Sequence, residues 1–202
     1  MSLDPHWYST IFGAYFFAGS VVAILSLLSI MLISLQKRGR LESAVTAEHY
    51  HDIGKLLLGF TAFWGYIGFS QFMLIWYANI PEETLWYAHR LEHGWKGVTI
   101  ALAVGHFAIP FFYLLGTAAK RNKTPLYVAS IWLLAMHYLD LYWLVMPVFR
   151  PEEGFHPHLL DLTAFLAVMG CFLAVVGLLL RKGNLIPVSD PRLGESLAFE
   201  NA

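Results

Sequence analysis

Charge is what this sequence lacks. Of 202 residues only 13% are Asp, Glu, Lys or Arg, against 57% hydrophobic and 16% aromatic. That balance excludes an ordinary soluble domain and describes an integral membrane protein. With a net charge of -1 there is no basic surface to attract nucleic acid. Cysteine is nearly missing too. Cys171 stands alone inside an apolar run, which excludes an intrachain disulfide, a CxxCH haem attachment and a thiolate metal cluster, and leaves packing as its role. No basic n-region precedes the first apolar run, which is also longer than a signal-peptide core, so it reads as a retained span.

What is present is five long apolar segments, at about 11–35, 56–80, 95–115, 125–149 and 159–180. Each matches the ~20 residues that cross a bilayer core. The expected fold is all-α and integral to the membrane: five transmembrane helices, four of them forming one bundle, in a domain spanning 1–182. The tail 183–202 is too rich in Pro, Gly and polar residues to be another span. Trp7 and Tyr8 suit the headgroup level before the first span. The second helix is expected to begin ahead of the membrane, since only Gly54 disfavours a helix between Ala44 and Leu58. Pro81 stops it and, with Glu82 and Glu83, opens a short amphipathic interfacial helix bearing Leu85, Trp86, Ala88 and Leu91. Pro110 leaves the carbonyl of His106 without its usual donor, which predicts a kink there. Thr124 and Pro125 read as cap and first position of the fourth span, which closes near Pro147.

Ten of the thirteen Lys and Arg fall at 37–55, 120–123 and beyond 180, whereas Arg90, Lys96 and Arg150 fall on the opposite side. The positive-inside rule then places the N-terminus outside and the C-terminal tail in the cytoplasm. Acidic outer segments around Asp4, Glu82-Glu83 and Glu152-Glu153 agree.

Against this apolar background, the fourth span carries His137 and Asp140 near its middle. An ionisable group at that depth costs about 2.5–3.5 kcal/mol on insertion scales and usually marks a functional path. At ~1.5 Å per residue, His106 lies about 11 residues below Trp95 and His137 about 12 above Pro125, so both are near mid-bilayer. Asp140 is one turn further out on the face of His137, with Lys96 as its expected partner, since an unpaired buried carboxylate becomes neutral. Glu48, His51, Asp52 and Lys55, with His49, crowd the inner mouth; Arg90 and Glu92 mark an outer exit; Tyr66, Gln71, Tyr138 and Tyr142 are candidate polar links. Together they read as a proton relay or half-channel.

Blander and competing readings stand beside it. A single intramembrane His often only donates to a neighbouring carbonyl, and an acidic-basic helix start is often just solvated. His106 and His137 also have the makings of two axial ligands for a b-type haem between the third and fourth spans. His89 and His93, four apart, form half of a metal site that would need His6, His156 or His158 to complete it. The aromatics at 76, 77, 86, 87, 142 and 143 form an interfacial belt whose outer pocket suits a quinone ring.

The strings SLDPHWYSTIFGAYFFAG (2–19), FTAFWGYIGFSQFMLIWYANIPEETLWY (60–87), HFAIPF (106–111) and MHYLDLYWLVMP (136–147) closely resemble the C-terminal half of a membrane subunit of bacterial alternative complex III, of the NrfD-like, polysulfide-reductase type. The resemblance covers essentially the whole chain. It implies a subunit of a quinol:cytochrome c oxidoreductase in the bacterial inner (cytoplasmic) membrane, not catalytic alone. The implied partners are a homologous membrane subunit, an iron-sulfur subunit and c-type cytochrome subunits, with a terminal oxidase as a further candidate. Iron-sulfur clusters and c-type haems belong to those partners. Of the family's two membrane subunits this chain is more similar to the proton-conducting or structural one, which binds no haem or metal. Family members carry two helical bundles and this chain one, so a quinone or proton site needing the second would be shared with another chain.

Overall fold

With no water in a bilayer core to serve free backbone groups, an apolar segment of this length closes its hydrogen bonds within a helix. All five do so. The computed structural model describes residues 3–5, 7–41, 44–150, 154–182 and 184–198; His6, Glu152 and Glu153 fall outside them. The elements are α1 (Phe12–Lys37), α2 (Ala47–Ala78), α3 (Pro81–His89), α4 (Trp95–Ala101), a π-helical segment (Leu102–Ala108), α5 (Ile109–Leu115), α6 (Thr117–Arg121), α7 (Lys123–Phe149), α8 (Leu159–Lys182) and α9 (Leu193–Leu197). There is no strand among the described residues. Taking α4 through α5 as one span, five helices are long and apolar enough to cross a membrane.

Four of the five form a bundle: α1 packs on α2 and α7, and the α4–α5 span closes against α2 and α7. The buried stripe of α1 is Tyr15, Ala18, Gly19, Val22, Ser26, Ser29, Ile33 and Gln36. That of α7 is Leu126, Ala129, Ser130, Leu133, Met136, Asp140, Trp143 and Pro147. The spacing is helical, and the stripes mix small and polar side chains with large apolar ones, while other large apolar side chains such as Phe16, Phe17 and Ile131 face out. Between membrane helices hydrophobicity gives no drive to associate, and close packing and polar contacts do. The fifth helix, α8, has no buried residue. It meets α7 through its first turns, where Tyr138 and Phe165 rings lie 4.6 Å apart and Tyr142 donates to Asp161 at 3.2 Å. Beyond it, Asn184, Leu185, Ile186 and Val188 line a shallow cleft with Gly39, Arg40 and Leu41.

The prolines correct two expectations. At Pro110 the backbone runs in a π-helical register, which moves the orphaned carbonyl off His106: the N–H of Ile109 reaches Val104, five residues back. In that register the donor Pro110 lacks would have served Gly105, and the indole of Trp132 on α7 fills the place at 2.7 Å. Pro125 is not the first residue of the fourth span, because α7 begins at Lys123 with Asn122 before it. Pro147 lies within α7 and orphans the carbonyl of Trp143 by the same logic.

Candidate functional site

At the centre of the bundle Asp140 is 1% exposed. Its carboxylate accepts two hydrogen bonds, from the Tyr15 hydroxyl of α1 at 2.5 Å and from the Trp64 indole of α2 at 3.2 Å. Three helices thus converge on one carboxylate. Lys96 does not pair with it: Trp95 and Val98 face inward, and Lys96 is turned to the exposed side of α4. Two neutral donors occupy the place that the sequence suggests for a cation.

His137 lies one turn along α7, its ring against Gly19 of α1, where an added Cβ would sit 3.1 Å from Cε1. A side chain at position 19 would displace the imidazole. His106 projects from the π-helical segment with its ring 6.2 Å from that of His137 and 4.1 Å from Trp64. Both nitrogens of His106 and Nδ1 of His137 are buried without a partner among the described residues. The structure therefore brings His106, His137 and Asp140 together through Trp64, which nothing in the sequence singles out. An axial pair for haem needs an open porphyrin slot between the rings. Trp64 covers His106, and the large cavity nearby is lined by neither imidazole.

That cavity, of about 640 Å³, lies between α2, α3 and the α4–α5 span, and Tyr15, Trp64, Gln71, Arg90, Phe107 and Trp143 are among its walls. Gln71 is buried, and its amide nitrogen lacks a partner among the described residues. Tyr87 and Trp143 of the aromatic belt line it as well, whereas Trp76 and Tyr77 are exposed. Tyr66 is on its rim, exposed. Tyr138 and Tyr142 turn away to α8.

Arg90 is not an exposed outer exit. It is 1% exposed, stacked 3.5 Å over the Trp86 ring. It donates to the carbonyls of Trp86 at 2.9 Å, Leu144 at 2.8 Å and Trp143 at 3.3 Å. The last is the carbonyl that Pro147 deprives of its donor. Burial pulls the guanidinium down to about 9, opposed by the charge of Asp4, so it remains a cation at neutral pH. Burial likewise raises the nearby Tyr87 hydroxyl, although the Arg90 charge opposes the rise. Glu92 is exposed and pairs loosely with His93 at 4.0 Å.

At the opposite end Glu48 of α2 forms an ion pair with Arg121 of α6, and Lys55 with Asp52 at 2.7 Å, both half-exposed. His51 keeps its Nδ1 buried and without a partner among the described residues. Lys120 is buried and donates to the carbonyls of Leu114 and Leu115, closing the end of α5. This mouth does not run into the histidines: Leu57, Leu126 and Leu133, all 0% exposed, fill the bundle between. No group of three or more His, Cys, Asp or Glu able to hold a metal occurs among the described residues, so His89 and His93 gain no further ligands among them. No protein-family model matches the chain, and no curated protein is detectably similar to it.

Proposed function

We propose that this chain is a membrane subunit of a quinol-oxidising respiratory complex and that Asp140, with His137 and His106, carries protons within the bilayer. The reading rests on one observation above all: a fully buried carboxylate held by neutral donors, with no cation against it among the described residues. A carboxylate kept only for structure is normally paired. One supported by a hydroxyl and an indole can bind and lose a proton without breaking an ion pair. His137, one turn away, and His106 offer three buried nitrogens without fixed partners among the described residues as the next proton acceptors. The chain itself supplies no redox centre in this reading; iron-sulfur and c-haem partners carry the electrons. The aromatic cavity against Tyr15 and Trp64 falls in the ~300–1,000 Å³ class of small-molecule sites and suits a quinone ring. The asymmetry of Lys and Arg supports a bacterial inner-membrane topology with the Glu48 end cytoplasmic.

The test is Asp140→Asn in the assembled complex. Retained assembly and quinol oxidation with lost proton coupling is the expected result. Unchanged coupling would sink the relay, and lost assembly with normal coupling of the residual complex would favour a purely structural subunit.

A further inference from the structure

Three hydroxyls in the bundle have no role in the carboxylate and histidine site. Ser26 of α1 and Ser130 of α7 are 0% exposed and Thr61 of α2 is 1% exposed. All three lack a hydrogen-bond partner among the described residues. Membrane-helix hydroxyls ordinarily turn back onto a carbonyl of their own helix, as Ser29 does to Leu25 at 3.0 Å and Ser20 to Phe16 at 2.9 Å. These three do not.

Helix register shows where they stand. Gly19 of α1 faces His137 of α7. Moving seven residues along each antiparallel helix reaches Ser26 and Ser130. Seven residues are close to two full turns, so these two keep the same faces and oppose one another about 10 Å beyond the histidine level. Trp64 of α2 touches the same Gly19, and Thr61 is one turn from Trp64 in the same direction, which places it between His137 and the serine pair. Val22 and Leu133 pack between the histidine and serine levels, and Leu57, Leu126 and Ile33 pack beyond the serines; all five are 0% exposed.

From this alignment we infer that the bundle core binds internal water at two separate levels, one held by Thr61 with the nitrogens of His137 and His106, the other held between Ser26 and Ser130, with Val22 and Leu133 packed between them. A buried water makes about three hydrogen bonds to polar groups that otherwise lack them. The two facing serines form one such site, and Thr61 with the histidine nitrogens the other. In a bilayer an unserved polar group is costly, and water answers all of these groups at once. The functional meaning rests on the proton relay through Asp140: the water at Thr61 solvates a proton leaving the histidines, and the apolar layer of Val22 and Leu133 is the barrier that proton must pass to reach the serine level.

The test uses the full chain in detergent or nanodiscs, comparing wild type with Ser26→Ala/Ser130→Ala, Thr61→Val and, as a hydroxyl-retaining control, Thr61→Ser. Water protected from the bulk is read by infrared bands that shift on exchange into oxygen-18 water, and stability by the unfolding temperature. The expected result is a protected-water band in wild type and Thr61→Ser that is lost in the alanine and valine variants, together with a lower unfolding temperature. Removing a hydroxyl that had no partner leaves stability unchanged or raised. A raised unfolding temperature with no change in the infrared bands would therefore overturn the inference, as would absence of the band from wild type. If the double alanine variant fails to fold, Thr61→Val against Thr61→Ser decides alone. Loss of the band with proton coupling intact in the complex leaves the internal water standing and removes the relay. Uncoupling by Asp140→Asn in a protein without the band does the reverse.

Discussion

Helices α1 and α8 are equally apolar, each with a mean hydropathy of 2.5, yet the bundle that holds α1 and the solitary α8 solve opposite problems. The bundle buries a carboxylate, an imidazole, a guanidinium, an ammonium and several hydroxyls, and exposes Phe16, Phe17, Phe69, Trp76 and Phe112. Helix α8 buries nothing and touches the rest of the chain around Asp161 and Phe165. Inside the bundle, polar groups are buried among the apolar contacts and bond across helices. On α8 there is nothing polar between Thr163 and Arg181 except Cys171, and its packing surface is offered to lipid or another chain. Hydrophobicity therefore does not distinguish a packed membrane helix from an unpacked one; the distribution of small and polar residues does.

That contrast breaks most sharply at Arg90. Replacing it by Met removes three hydrogen bonds from a charged donor and leaves the Trp143 carbonyl, which Pro147 deprives of its helical partner, unpaired at roughly 1–3 kcal/mol; it should give the largest fall in unfolding temperature of any single substitution in the bundle. Arg90→Lys should recover only part of it, because an ammonium cannot reproduce the planar fork. Next come the donors to Asp140. Tyr15→Phe and Trp64→Phe each remove one hydrogen bond to the buried carboxyl group, at about 0.5–3 kcal/mol. Chemical denaturation of each variant in the Asp140→Asn background should show a smaller loss, since the two positions share one partner. Additive losses would mean the carboxylate is not what those donors serve. A smaller effect is expected at Trp132→Phe. It removes one interhelical hydrogen bond, which in membranes averages about 0.6 and reaches about 1.7 kcal/mol, and backbone amide exchange should quicken around Leu102–Ala108. The smallest belongs to α8. Nothing lies within 4 Å of a Cβ added at Gly170, so Gly170→Ala should change stability of the isolated chain by no more than the ~1 kcal/mol helix-propensity gain. A large loss there would show that α8 packs on its own bundle.

The five spans are legible in the sequence because length and apolarity suffice for that, and the depths of His106, His137 and Asp140 follow from counting residues. Angular position around a helix does not follow. Height alone pairs Lys96 with Asp140, whereas one position of rotation from Trp95 turns it outward. The partners that do hold the carboxylate, Tyr15 and Trp64, lie 125 and 76 residues away in sequence and look like ordinary aromatics of apolar helices, so nothing in one sequence ties them to it. Arg90 is within reach of sequence reasoning. Pro147 announces an unpaired carbonyl at Trp143, just as Pro110 does in the third span, and a lone arginine between two aromatic-rich segments is the donor available at that level. Thr61, Ser26 and Ser130 stay hidden because a hydroxyl in a membrane helix usually bonds its own backbone, and only the folded packing shows that these do not.

The Trp132–Gly105 hydrogen bond makes the third span dependent on a residue 27 positions further along the chain. During synthesis the Leu102–Ala108 segment emerges first, with a carbonyl that nothing in its own helix can pair. On its own it is therefore an unfinished helix, completed when α7 lends its indole. These two helices should accordingly be inserted as a pair, and a nascent chain halted before Trp132 should remain held at the insertion machinery rather than released into lipid.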